Sequence, residues 1–262
     1  MLGYSVSFFP GSSGRFLSNI LYCLLNDLEL DLSYDERNSS HNTTYYKSNF
    51  DISLIPALEY GSKSNHVQLF KYLCFLPMDT ISVLPTHAYP LSELLEKNPY
   101  TNTFNMVIIE VSENNLVEIN TNSVIKNTWP LLDKLKTEGF DKLSDSENGY
   151  MNEFIKSLAE FKINLLQLKS FDTIERYARL VSNKQKNTTH MRFINPKIDP
   201  KYVDKTLILK YDDIFAKTNT GYKGLDILQE WVGKKGSDTL LQNYSLYVEG
   251  RNKLIKSIDY LK

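Results

Sequence analysis

No apolar run in the chain approaches the roughly 20 residues that a helix needs to cross a bilayer, which excludes a helical membrane span. The chain also opens without the basic stretch and long apolar segment of a secretory leader, so the expectation is a soluble, cytoplasmic protein with no membrane partner. Cysteine is scarce. Cys23 and Cys74 are the only two, too few for a disulfide framework or a thiolate metal site, and each falls in an apolar helical pattern that suits a buried thiol. No metal is expected. Charge of one sign is missing too: 30 basic and 31 acidic side chains leave a net charge of -1, which removes the general electrostatic case for a nucleic-acid partner. The 17 tyrosines and 13 phenylalanines follow no repeating basic-aromatic register and read as core and surface. Internal repeats and low-complexity blocks are absent.

What remains is ordinary globular composition, and its organisation alternates. A strand is expected at about 4–9, then a small-residue loop, then a helix at 14–27 with Phe16, Leu17, Ile20, Leu21, Leu24 and Leu25 at helical spacing. Residues 31–65 are polar and read as an irregular excursion. A helix is expected near 65–76, a short strand in DTISVLP, a helix at 91–97, and a strand covered on both faces in FNMVIIEV at 104–111. Helices follow at 113–126, 129–138, 147–168 and 171–181, then a second buried strand, TLILKY, at 206–211, and helices at 222–233 and 238–260. Short apolar strands alternating with helices predict one α/β domain over 1–262, a three-layer sandwich around a central, mainly parallel sheet, with a helical insertion at about 113–181. In such sheets ligands bind at the carboxyl ends of strands. That rule singles out the loop after the first strand, the stretch Thr86-His87-Ala88-Tyr89-Pro90, and the residues after FNMVIIE.

The first of these loops, GSSGR at 11–15, has two readings. A helix N-terminus carries unpaired N–H groups and partial positive charge, and a glycine/serine turn lets an anion approach them, so Gly11, Ser12, Ser13, Gly14, Arg15 and Phe16 can receive a phosphate or sulfate. The other reading is a plain turn in which Ser12 or Ser13 caps the helix. A triphosphate loop is a poor match. It requires four residues between its glycines and then lysine with serine or threonine for magnesium, whereas two residues separate Gly11 from Gly14 and Phe16 follows Arg15.

FFPGSSGRFLSNIL at 8–21 resembles the 5'-phosphosulfate loop of the sulfotransferase family, within the P-loop nucleotide-binding superfamily, and the resemblance is that of a divergent member. LPTHAYP at 84–90 is similar to that family's Lys-Thr-His-Leu-Pro stretch, and LILKYDDIFAKTNTGYKGLDILQEWVGK at 207–234 to its late strand and helix. The three segments stand in the family's order and cover about a quarter of the chain. The resemblance implies 3'-phosphoadenosine-5'-phosphosulfate as donor, adenosine 3',5'-bisphosphate as product, no metal, and a small-molecule or carbohydrate acceptor. It gives His87 the role of catalytic base and Arg15 that of the cation at the loop. The chain departs from the pattern in two places. Gly11 or Ser12 stands where many members carry lysine, and after FNMVIIEV the family's arginine and serine for the 3'-phosphate are replaced by Glu110, Val111 and Ser112. Ser112 and Asn114 are then the polar candidates for that phosphate, beside a glutamate that would repel it. A P-loop kinase, or a degenerate member that binds an anion without catalysis, remain the alternatives.

Two further features have surface explanations. Residues 181–262 carry 15 basic and 9 acidic side chains, an excess that a solvated lysine-rich face accounts for. Tyr211-Asp212-Asp213 looks like an acid pair, but within the resemblance its carboxylates cap a turn.

Overall fold

Tyr4 and Val6 alternate with Ser5 and Ser7 along LGYSVS, and this stretch forms the central strand β1 (Leu2–Ser7). In the computed structural model the described residues are 2–9, 11–29, 45–46, 81–86, 104–139, 142–185, 193–198 and 200–259. The chain divides into two compact units, Met1–Val111 with Arg192–Val248, and Ser112–Met191 with Glu249–Lys262.

The first unit is α/β. After β1 come helix α1 (Gly14–Asn26), β2 (Tyr45–Tyr46), β3 (Ile81–Thr86), β4 (Phe104–Glu110) and β5 (Thr206–Lys210), in a sheet of order β2-β3-β1-β4-β5. β3, β1, β4 and β5 run parallel, and β2 lies antiparallel against β3. Each parallel pair needs a crossover connection to return the chain to the same end of the sheet. α1 is the described helix between β1 and β3, and after the last strand come α6 (Tyr211–Phe215), α7 (Lys223–Val232) and α8 (Asp238–Asp259), of which residues 238–248 belong to this unit.

The apolar pattern places each strand. Met106, Val107, Ile108 and Ile109 of β4 are all buried, as a strand covered on both faces requires. β5 differs from the sequence expectation. It lies at the edge of the sheet, with Leu209 buried and Ile208 37% exposed, so its apolar residues include one that faces outward. Phe16, Leu17, Ile20, Leu21 and Leu24 bury α1, and the Cys23 thiol among them is pushed up to about 11 by its burial. Tyr4 meets Trp231 of α7 edge-on, with ring centroids 5.7 Å apart.

The second unit is helical: α2 (Glu113–Ser123), α3 (Trp129–Glu138), α4 (Asp145–Glu160) and α5 (Phe171–Gln185), closed over Val124, Ile125, Met151, Phe154, Leu158, Ile174 and Tyr177. Two expected boundaries move. The helix read over 113–126 ends as α-helix at Ser123 and continues as a π-helical turn, Val124–Thr128, in which the Trp129 N–H reaches the Val124 carbonyl. Pro130 explains the widening, since it has no N–H to give the carbonyl four residues back and its ring crowds that carbonyl. The helix read over 147–168 is two elements. α4 starts at Asp145 under a capping box and stops at Glu160, Lys162 takes φ 54°, and a short 3-10 helix, Leu165–Lys169, follows.

That capping box carries a pH dependence. Glu147 accepts from the Ser144 N–H at 2.7 Å, from the Ser144 hydroxyl at 3.0 Å and from Lys134 Nζ at 3.0 Å. These contacts, the backbone bond first, lower its pKa from 4.5 to about 2. A carboxylate depressed on folding adds stability that is complete above its unfolded pKa and lost as the pH falls through its folded one. Urea denaturation is therefore expected to show a steeper stability loss between pH 4.5 and 2 for the native chain than for Glu147→Gln. Parallel curves would refute this.

Candidate anion-binding site

The loop between β1 and α1 begins with a tight turn. The Ser12 N–H donates to the Phe9 carbonyl at 3.0 Å, and Gly11, just before Ser12, takes φ 84°. A positive φ of this kind is one that only glycine adopts without cost. Gly11 is exposed, whereas Ser12 is fully buried, with its hydroxyl donating back to the Phe9 carbonyl at 2.7 Å. The Ser12 hydrogen is thus already used.

Ser13 is the unusual residue. It precedes α1 with φ 63° and ψ 18°, a left-handed conformation that costs a side-chain-bearing residue roughly 1–2 kcal/mol. An ordinary capping serine has extended backbone and accepts from the first turn through its side chain. Ser13 makes no such bond, and Ser12 turns the other way, so neither serine acts as the cap the plain-turn reading requires. A left-handed residue followed by a right-handed one instead points successive N–H groups toward one place, a concavity that suits an anion. Here those are the N–H groups of Ser13, Gly14 and Arg15. The first helical bond runs from the Leu17 N–H to the Ser13 carbonyl, so the amides of the opening turn precede the helix's own ladder.

Packing holds this shape. Gly14 sits against the Phe8 ring so closely that an added Cβ would lie 1.9 Å from it. On the other side, Phe16 stacks on Tyr247 of α8 with centroids 3.6 Å apart and planes 8° from parallel, and meets Tyr244 edge-on at 4.9 Å. The Tyr247 hydroxyl donates to Ser13 Oγ at 3.0 Å, which leaves the Ser13 hydrogen for another acceptor. Tyr244 is fully buried, and its hydroxyl donates to the Ile214 carbonyl at 2.8 Å. Below the loop, Ser7 on the last position of β1 is also fully buried, and its Oγ has no hydrogen-bond partner among the described residues. A buried hydroxyl left without a partner costs on the order of 1–3 kcal/mol. Sequence reading missed Tyr244 and Tyr247, and no local signal marks them, since they follow the loop by more than two hundred residues.

The other expected site residues are placed unequally. Arg15 stands in the first turn of α1; only its backbone is described. Pro10 and His87 lie outside the described residues, as do Cys74 and nearly all of the 31–65 stretch. Glu110 ends β4 in register with Lys210, the last residue of β5, so the acid expected to repel a phosphate has a cation as its cross-strand neighbour. Ser112 is the cap of α2: its N–H and hydroxyl donate to Asn115 Oδ1 at 2.8 and 2.7 Å, and its Oγ accepts from the Asn115 N–H at 3.2 Å. That serine therefore already has both of its donors engaged. Asn114 is exposed in the same first turn. Tyr211, Asp212 and Asp213 open α6, where Tyr211 is buried and Asp213 pairs with Lys223 at 2.9 Å, an arrangement that is structural. Lys234 likewise holds the C-terminus of α1, reaching the Leu25 carbonyl and Asp27, each at 2.9 Å.

No protein-family model matches the chain, and no curated protein matches it. Among solved structures it is similar to a crystal structure of retinol dehydratase in a complex with retinol and PAP, at 14% identity and a TM-score of 0.36. The match covers 92% of this chain and 62% of that one, so the chain spans less than two thirds of the length of that protein. A likeness this distant assigns neither a family nor a chemistry. Among the described residues no helix is long and apolar enough to cross a membrane, and no group of three or more metal-ligating side chains occurs.

Proposed function

We propose that residues 11–16 receive the phosphosulfate end of a nucleotide, and that the protein transfers the sulfuryl group from 3'-phosphoadenosine-5'-phosphosulfate to a hydroxyl of a small molecule or carbohydrate. The observation that carries this reading is Ser13, held left-handed and uncapped at the start of α1, at the carboxyl end of the central strand. In the reaction the acceptor oxygen bonds to sulfur as the bond from sulfur to the phosphate oxygen breaks, and the electron pair leaves on the 5'-phosphate of adenosine 3',5'-bisphosphate. The loop amides, the Ser13 hydroxyl and the Arg15 guanidinium would stabilise the charge developing on that phosphate. His87, by the resemblance of its surrounding stretch, would take the acceptor proton, a task suited to a side chain that titrates near neutrality.

The test is calorimetric. Adenosine 3',5'-bisphosphate is expected to bind without magnesium and to raise the unfolding temperature, with a stabilisation of about 2.7 kcal/mol at a hundredfold excess over Kd. Arg15→Ala should remove most of the shift. Absence of any shift at millimolar nucleotide would overturn the proposal. A second reading, an anion-binding protein without transferase activity, is favoured by one observation, the commitment of Ser112 to the α2 cap. It predicts that sulfate or pyrophosphate binds as tightly as the bisphosphate, because nothing then holds the 3'-phosphate.

A further inference from the structure

We infer that Tyr247 is a positioning residue for the loop: by donating to Ser13 Oγ while its ring stacks on Phe16, it holds Ser13 in the left-handed conformation that gathers the amides of residues 13–15. The inference rests on the proposed function for its ligand, but its conformational half stands on geometry alone. Ser13 has no glycine freedom, its φ is 63°, and its side chain makes no cap to the helix that follows. A residue keeps such a conformation only when its surroundings over-determine it. Three contacts surround it. Phe8 closes one side against Gly14, the Phe16–Tyr247 stack closes the other, and the 3.0 Å hydrogen bond ties the Ser13 side chain itself to α8. Of these, only the hydrogen bond acts on Ser13 directly. The stack places the phenol, and the phenol places the serine.

Tyr247 is itself held from behind. Phe16, its stacking partner, meets Tyr244 edge-on; Tyr244 is anchored to the Ile214 carbonyl and packs on Tyr222 at 5.2 Å. The stack is thus part of a fixed aromatic group, and removing one oxygen from Tyr247 leaves that group in place. This makes Tyr247→Phe an informative variant, since it deletes the bond to Ser13 and keeps the ring. Ser13→Gly is its complement, because glycine enters the left-handed region without steric cost and needs no restraint from α8 to stay there.

Two measurements test the assignment on the full-length protein. Without ligand, amide hydrogen exchange at residues 14–17 is expected to rise about fivefold in Tyr247→Phe, with the buried strand β4 unchanged, and to fall back toward the native rate in Tyr247→Phe/Ser13→Gly. Affinity for magnesium-free adenosine 3',5'-bisphosphate, read by calorimetry, should weaken about fivefold in the single variant and recover to within about twofold in the double; a net bond of about 1 kcal/mol corresponds to that loss. Unchanged exchange at residues 14–17 in the single variant, or a double variant that fails to recover, overturns the role of Tyr247. Failure of the native protein to bind the nucleotide overturns the proposed function instead, and the exchange measurement still decides whether Tyr247 sets the loop.

Discussion

Tyr244→Ala is expected to destabilise the protein by about 3–5 kcal/mol, the cost of emptying a large aromatic site in a core that closes only partly around the void. Tyr244 has no exposed surface, touches Phe16 and Tyr222 with its ring, and bonds the Ile214 carbonyl with its hydroxyl. Burial, reinforced by the neighbouring Tyr222 and Asp226, raises the pKa of that hydroxyl, so it stays protonated and remains a donor. The companion variant separates ring from oxygen. Tyr244→Phe keeps the packing and orphans one carbonyl, for a cost of about 1–3 kcal/mol. Urea denaturation of both variants checks the pair, and an alanine variant no less stable than the phenylalanine one would show that the ring is not the anchor. Gly224 supports the same site, since a Cβ there would come within 3.0 Å of the Tyr244 hydroxyl and 2.9 Å of Ile214 Cα.

Gly14→Ala is expected to cost about 1–3 kcal/mol of stability and to abolish detectable nucleotide binding, although alanine is ordinarily the better helix residue. The added methyl carbon would lie 1.9, 2.1 and 2.3 Å from three carbons of the Phe8 ring. Phe8 is buried and cannot swing into water, so either its ring or the start of α1 has to move, and the loop amides are attached to the latter. Enlarging the space should therefore restore part of both properties: Phe8→Leu in the Gly14→Ala background is expected to regain stability and binding together. The control is Gly149→Ala in α4, where nothing lies within 4 Å and the exchange should stabilise by about 1 kcal/mol. Thermal unfolding and calorimetry on the three variants check this, and a Gly14→Ala protein that binds as the native one does would place the anion elsewhere.

Much of the α/β unit is legible from neighbouring residues. The apolar stretch before the small-residue loop, the continuous run Met106–Ile109 and the helical spacing of α1 mark two strands and a helix, and the structure has those elements within a few residues of where they are expected, with Ser5 and Ser7 of β1 buried as well as Tyr4 and Val6. The misjudged boundaries have local causes too: Pro130 widens a helix, and the Ser144–Glu147 box starts another two residues early. The β5 edge is a different kind of miss. TLILK is apolar enough for either position, and only the order of the strands exposes Ile208.

The sequence by itself determined that a small-residue loop would follow the first strand, that a helix would follow the loop at once, and that no magnesium-binding hydroxyl would follow Arg15. These depend on residues within a few positions of one another, where turn chemistry and helical period act. Only the tertiary structure decided that Ser13 is left-handed and uncapped, that Ser12 turns inward, that Glu110 stands beside Lys210, and that Tyr247 reaches the loop from the far end of the chain. The reason is physical. A serine accepts an unfavourable backbone conformation only when distant side chains pack against its neighbours, and nothing in GSSGR records which aromatic rings those will be.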